Sequence, residues 1–298
     1  MARDLVFEIG TEEMPAEDMV TLRKNFKNTA IKTFSDKRLH FSDCQVYSTP
    51  RRLTLYVKGV AEKQEDKRES VRGPAAEIAF DEDGNPTKAG SGFARGQGVE
   101  VKDLIIRDEY VYVDKVEKGK KTEEILRILL PEILRNIDFS KSMRWGDVDF
   151  RFIRPIKWLL ALFGEKTINF EIAGVKADNY SKGHRFLGKD FIEIEHPDQY
   201  FNTLEKNFVI TNHQRRKDLI LYQIEKIQEE LGEVMIIDEL LSEVVDLVEY
   251  PTAFYGEFNQ DFLDLPDDVL ITSMVEHQRY FPVKNNSGDL KANFVAVR

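Results

Sequence analysis

Leu5-Val6-Phe7-Glu8-Ile9 runs as a strand into Gly10, and Pro15 then opens a helix over roughly 15 to 34 whose Met19, Leu22, Phe26 and Ala30 recur at helical spacing. A strand that must pair, followed at once by a helix with one apolar face to bury, sets the character of the fold. Two further strands are predicted around Gln45 to Ser48 and Leu53 to Val60; in the second, Leu53, Leu55 and Val57 face inward and Thr54, Tyr56 and Lys58 outward. Asp103 to Val116 reads as a hairpin, and Thr122 to Ile137 as an amphipathic helix with Ile125, Leu129 and Ile133 on one face. A helix over 212 to 231 is capped by Asn212, lined by Ile220, Ile224, Ile227 and Leu231, and stopped by Gly232, and another covers about 238 to 247. Thr252 to Phe258 is strand-like, Asp264-Leu265-Pro266 starts a helix carrying Val269, Leu270, Met274 and His277, and Tyr280 to Val283 and Asn293 to Val297 return to strand. Strands and helices in this mixed order predict an α+β fold rather than a doubly wound sheet.

At 298 residues the chain is long enough for two modules, each with its own core. We place them at 1–140 and 141–298, two mixed α/β modules with antiparallel hairpins and flanking amphipathic helices, although no Pro/Gly/Ser linker marks the boundary. The sequence stops on Arg298 in mid-strand, which reads as a truncation. No apolar run approaches the roughly 18 residues of a membrane span, and the N-terminus lacks the apolar core of a signal peptide, so a cytoplasmic protein is expected. Cys44 is the single cysteine and reads as a packed thiol. A net charge of −10 argues against sequence-blind polyanion binding, so any contact with nucleic acid must be local.

The sequence offers little self-contained chemistry. Gly90-Ser91-Gly92-Phe93-Ala94-Arg95-Gly96 has the glycines of a phosphate loop without its Gly-Lys-Ser/Thr ending. The five histidines show no i, i+4 pair, and no cysteine pair exists to hold zinc. Glu8, Glu12 and Glu13 could form a carboxylate site, but Glu12 and Glu13 are explained as well by the positive end of the following helix. No catalytic residue and no metal ligand is therefore assigned.

The basic residues carry more. Arg51 and Arg52 lie at a turn; Lys141, Arg144, Arg151, Arg154 and Lys157 punctuate a stretch containing Trp145, Phe150, Phe152 and Trp158; His184 and Arg185 follow Gly183; and Arg215, Arg216 and Lys217 open a helix. Guanidinium groups beside aromatic rings suit phosphate contact and base stacking on RNA, and they suit protein interfaces equally well. The three residues at the helix start also read as a solvated face. In the aromatic segment 248 to 283, most of Tyr250, Phe254, Tyr255, Phe258 and Phe262 are expected in the core, with His277, Gln278 and Arg279 as its exposed polar edge.

Eight motifs in order carry a resemblance. Phe7-Glu8-Ile9-Gly10-Thr11-Glu12-Glu13-Met14-Pro15, Thr49-Pro50-Arg51-Arg52-Leu53, Gly92-Phe93-Ala94-Arg95-Gly96-Gln97-Gly98 and Met143-Arg144-Trp145-Gly146 are followed by Phe152-Ile153-Arg154-Pro155-Ile156-Lys157-Trp158, Gly183-His184-Arg185-Phe186, Val248-Glu249-Tyr250-Pro251 and Glu276-His277-Gln278-Arg279-Tyr280-Phe281-Pro282-Val283. Over essentially its whole length the chain resembles the N-terminal part of the β subunit of bacterial glycyl-tRNA synthetase, the α2β2 type. The resemblance implies an HD-type region and an anticodon-binding domain beyond residue 298, and a catalytic core in a separate α subunit that activates glycine with ATP and magnesium. It implies tRNA(Gly) and that α subunit as partners, with neither DNA nor membrane, and no cofactor held by this chain. Arg51, Arg52, Arg95, Arg144, Trp145, Arg151, Arg154, Lys157, His184, Arg185, His277, Gln278 and Arg279 are then the candidates for RNA or partner contact. The alternative is a structural module that docks the α subunit and touches no RNA.

Overall fold

The computed structural model describes residues 2–298, which form two compact units. One takes in the described residues up to Glu62 together with Glu123–Arg298; the other is Lys63–Thr122. The boundary expected near 140 falls inside the larger unit, where strands from either side of it share one sheet. Such long-range pairing leaves no compositional trace in the intervening chain.

The larger unit opens with β1 (Ala2–Thr11), α1 (Ala16–Asp36), β2 (Asp43–Thr49) and β3 (Arg52–Ala61). The smaller unit is a three-stranded antiparallel sheet of β4 (Lys67–Ala75), β5 (Ile105–Arg107) and β6 (Tyr110–Glu117), with the short helices α2 (Ala76–Ala79) and α3 (Lys88–Gln97). The glycine-rich stretch forms α3, with Thr87 as its N-cap and Gly98 as its left-handed terminus, and Phe93 packs on Gly73. Helix α4 (Thr122–Asn136) leads back to the larger unit, where β7 (Ile156–Phe163), β8 (Lys166–Thr167), β9 (Glu171–Ile172) and β10 (Val175–Asp178) complete the main sheet in the order β2-β3-β1-β7-β10-β9, with β8 on β7.

Period-2 alternation divides β1 between two cores. Leu5, Phe7 and Ile9 face α1 and α4, in a cluster with Phe26, Leu55, Leu129 and Ile133. Val6 faces the other way, with Tyr56, Leu160 and Leu162, against the segment of β12 (Ile192–Glu193), which pairs with β11 (Tyr180–Ser181), and α5 (Tyr200–Glu205). This cover overturns the outward reading of Thr54 and Tyr56: both are buried, and of the three expected outward only Lys58 is exposed. Cys44 is buried, and burial pushes its thiol up to about 11, which keeps it protonated and unreactive.

Downstream, α6 (His213–Leu231) is capped as expected by Asn212, whose side chain accepts from the Gln214 and Arg215 amides. With α7 (Asp238–Leu247) it covers one face of a second sheet, ordered β13-β15-β16-β14, of β13 (Glu233–Val234), β14 (Ala253–Glu257), β15 (Phe281–Lys284) and β16 (Leu290–Val297). Between β14 and β15 run a 3-10 turn (Gln260–Asp264), α8 (Asp267–Thr272) and a π-helical turn (Ser273–Gln278). The expectation of a core aromatic segment fails here. Phe254, Tyr255 and Phe262 are exposed and Tyr250 and Phe258 half-buried, because α6 and α7 cover only one face and β14 is an edge strand.

No helix is long and apolar enough to cross a membrane among the described residues.

Candidate functional site

The sheet register assembles the site. Gly10 on β1 stands opposite Arg52 on β3 and Trp158 on β7, and Glu8, two residues back on the same face, stands opposite Thr54 and Leu160. A glycine inside a strand marks the close approach of another group. Here the group is the Trp158 indole: a Cβ built on Gly10 would lie 1.9 Å from its ring atoms. Three cations gather around that ring, with Arg52 at 5.5 Å from the centroid, Arg51 at 5.6 Å and the Lys182 Nζ at 5.7 Å. Lys182 also lies 5.6 Å from the ring of Phe191. Each such contact contributes roughly 0.5–2 kcal/mol, more where water is excluded.

Beneath the ring lies a buried ionic network. Glu8 accepts from the Trp158 Nε1, from the Ser181 hydroxyl at 2.6 Å and from the Tyr200 hydroxyl, which shares a 2.7 Å hydrogen bond with Thr54. Arg52 is buried between two carboxylates, with Nη1 3.7 Å from Glu8 and Nη2 3.0 Å from Glu249, and it donates to the Lys182 carbonyl at 2.8 Å. Thr49 donates to Glu249 at 2.7 Å. Burial alone would raise the Glu249 carboxyl, but Arg52, Thr49 and Arg51 outweigh it and hold the group below its ordinary value. Burial likewise opposes the charge on Arg52, and Glu249 and Glu8 reverse that effect. Charges this deep persist because each is paired. Arg52 is thus a strut of the site, and its burial removes it from the contact candidates.

Arg51 differs. Its guanidinium is desolvated, which lowers its pKa, and Glu249 at 3.8 Å only partly compensates. Its Nε and Nη1 are buried without hydrogen-bond partners. His184 lies in the same field, its pKa lowered by burial, with Glu249 acting against and Arg51 with it. The His184 Nδ1 accepts from the amides of Leu187 and Phe186 at 3.3 and 3.4 Å, which leaves the proton of the neutral ring on Nε2. At the rim, Arg185 pairs with Glu12 at 3.3 Å and Glu13 at 3.2 Å, Lys157 pairs with Glu12 at 3.1 Å, and Arg154 donates to the Glu13 carbonyl at 3.0 Å. The hydrogen bond from Lys157 is the main cause holding the Glu12 carboxyl below its usual value. Phe186 and Phe191, 84% and 71% exposed, extend the rim.

Five of the eight motifs therefore meet at one place, and Arg51, Arg154, Lys157, His184 and Arg185 come together. Glu8, Glu12 and Glu13 do not: Glu8 is buried on the inner face, while Glu12 and Glu13 serve the basic rim. No group of three or more His, Cys, Asp or Glu suited to a metal occurs among the described residues. The other candidates lie elsewhere. Arg95 is exposed on α3 in the smaller unit. Arg144 pairs with Asp149 at 3.3 Å, Arg151 donates to the Ser142 hydroxyl and carbonyl, and Trp145 packs on Phe150 against the core. His277 and Gln278 are exposed on the π-helical turn, and Arg279, left-handed at φ 59°, pairs with Glu243 at 2.7 Å.

Sequence reasoning also missed how Arg216 is used. It is buried, donating to the carbonyls of Ser48, Ile210, Thr211 and Val245 and pairing with Asp246, which also binds Arg23 at 2.8 Å. The solvated-face reading fails because its neighbours along the helix, Arg215 and Lys217, gave no sign of a pocket of carbonyls brought in from β2 and α7. Lys182, Glu249 and Tyr200 were missed as site members too; the signal available was a polar Glu8 and a Gly10 on alternate positions of an otherwise apolar strand.

Cations thus gather around a buried indole and are held from below by paired carboxylates. Comparison with known proteins gives the chain a family. Residues 5–298 match the family described as glycyl-tRNA synthetase beta subunit. The chain is 59% identical over 298 residues to the glycine–tRNA ligase beta subunit of Halothermothrix orenii and 48% identical over 303 residues to that of Syntrophomonas wolfei, in both cases over 100% of this chain. With the Bacillus subtilis protein of the same name it is 46% identical over 308 residues and 99% of the chain. It spans 43% of the first of these relatives and 44% of the other two. The chain belongs to the glycyl-tRNA synthetase beta subunit family.

Proposed function

We propose that this chain supports the ATP-dependent attachment of glycine to tRNA(Gly) in the cytoplasm, by binding and positioning the tRNA and by assembling with a catalytic α subunit in an α2β2 enzyme. Glycine activation with ATP and magnesium belongs to the α subunit; this chain contributes geometry. The observation that carries the RNA reading is Arg51, a desolvated guanidinium whose Nε and Nη1 lack hydrogen bonds and which meets Glu249 only at 3.8 Å, set beside Lys182, His184 and Arg185 in a chain of net charge −10. A phosphate group approaching this cluster meets a guanidinium already stripped of part of its water and incompletely neutralised, and exposed Phe186 and Phe191 offer faces for unpaired bases.

A second reading has its own support: Arg185 and Lys157 already pair with Glu12 and Glu13, as they would in a rim that docks protein and touches no RNA.

The test is tRNA(Gly) binding across a salt series, comparing wild type with Arg51→Ala/Arg185→Ala and with Arg279→Ala as a control on the second sheet. Loss of one or two phosphate contacts flattens the slope of log K against log salt by roughly 1–2 and weakens binding at low salt. An unchanged slope and affinity in a double variant that melts like wild type would overturn the RNA reading and leave the docking one.

A further inference from the structure

The face of the second sheet that α6 and α7 leave bare carries an apolar cleft of about 350 Å³. Its walls include Phe258, Phe262, Leu265, Val269, Met274 and Tyr280, supplied by the 3-10 turn, α8, the π-helical turn and the adjoining strand ends. Three of these wall residues stay open to solvent: Phe262 is 52%, Leu265 44% and Val269 54% exposed. The floor is rigid. Phe294 stacks on Tyr280 at 4.3 Å and 8°, and presses on Gly256, where a Cβ would come within 2.5 Å of its ring. The cleft is thus preformed.

The surroundings of the cleft select its occupant. From Pro251 to Gln278 there is no lysine or arginine, and Glu257, Asp261, Asp264, Asp267, Asp268 and Glu276 are all exposed. None of the six makes an ion pair among the described residues, in contrast to Glu12 and Glu13 at the basic rim. Asp267 and Asp268 lie in the first turn of α8, where the helix dipole favours them; Glu257, Asp261, Asp264 and Glu276 stand within two residues of the wall residues Phe258, Phe262, Leu265 and Gln278 along the chain. Such a field repels a phosphate backbone and attracts cations.

We propose that this cleft docks a cationic amphipathic segment of a partner protein, its apolar side chains entering between Phe262, Leu265 and Val269 and its lysines or arginines meeting the six carboxylates. Recognition is of the helix-in-groove kind: apolar anchors give affinity, and the charge pattern sets which segment enters. The inference stands apart from the tRNA reading, because the cleft and the Arg51 cluster lie on different sheets.

The probes are three labelled helical peptides of one heptad pattern and about 18 residues: Leu/Lys, Leu/Glu and Ser/Lys. Fluorescence anisotropy with the 298-residue chain should show the Leu/Lys peptide binding roughly tenfold or more tightly than either counterpart, with an affinity that falls as salt rises. Val269→Glu and Leu265→Glu alter exposed side chains, so both variants should melt like wild type and weaken binding by roughly tenfold. Asp264→Asn/Glu276→Gln should weaken it and flatten its salt dependence. Equal binding of the Ser/Lys peptide, or wild-type affinity in Val269→Glu, would overturn the proposal. So would binding of a single-stranded RNA oligonucleotide that Val269→Glu abolishes, since that assigns the cleft to nucleic acid.

Discussion

The indole of Trp158 fills the space that a side chain at Gly10 would need, with ring atoms 1.9 Å from an added Cβ. Gly10→Ala should therefore displace the ring, break its hydrogen bond to Glu8 and scatter the cations around it. We expect a loss at the upper end of the usual overpacking cost of about 1–3 kcal/mol, read from chemical denaturation, with a red-shifted tryptophan emission as the ring meets water. An unshifted spectrum at wild-type stability would sink the account of Gly10.

Glu249 should be worth more than any surface pair. Removing its charge leaves Arg52 buried with only Glu8, at 3.7 Å, to balance it, so Glu249→Gln is expected to cost about 3–5 kcal/mol. The pH dependence follows from the direction of its shift. In the folded chain Glu249 ionises below its ordinary 4.5, so the unfolded chain takes up the proton first as pH falls. Its contribution is complete above about pH 4.5 and drains away as pH drops through the folded value. The Gln variant should lose that part of the acid sensitivity.

His213 gives a second and separable acid window. Burial, joined by Arg23, brings its pKa down to about 4 from 6.5, against the pull of Asp246, and its Nδ1 is buried without a hydrogen bond. Between pH 6.5 and about 4 the unfolded chain binds a proton that the folded chain refuses. Stability is full above that window and falls progressively across it. His213→Gln should flatten urea midpoints measured from pH 7 to 4.5; a slope unchanged from wild type would move the acid response elsewhere.

How much of this could be read beforehand follows from what local pattern encodes. Asn212 and Gly232 delimit α6 because capping is a property of adjacent residues. The alternation of Leu53, Leu55 and Val57 located β3 and its inner face, while the same rule misread Thr54 and Tyr56, since nothing nearby announces that residues 192 to 209 will cover them. Arg52 and Arg216 look like surface residues in sequence; only tertiary assembly supplies the carboxylates and carbonyls that make burial tolerable. Phe254, Tyr255 and Phe262 err in the opposite sense, as aromatic composition suggests a core whether or not a second layer exists to close it. The basic cluster was legible as a set of residues and illegible as a place, because register across β1, β3 and β7 brings it together.

The pairing of β1 with β7 also sets a timetable for the growing chain. Leu5 through Thr11 leave the ribosome about 150 residues ahead of Ile156 through Phe163, which cover one edge of that strand. At roughly 5–20 residues per second, β1 waits on the order of ten to thirty seconds with Leu5, Phe7 and Ile9 beside an unpaired row of amides and carbonyls. β3 arrives much earlier and guards the opposite edge. Until β7 emerges, the nascent chain carries a half-finished sheet open to whatever strand reaches it first.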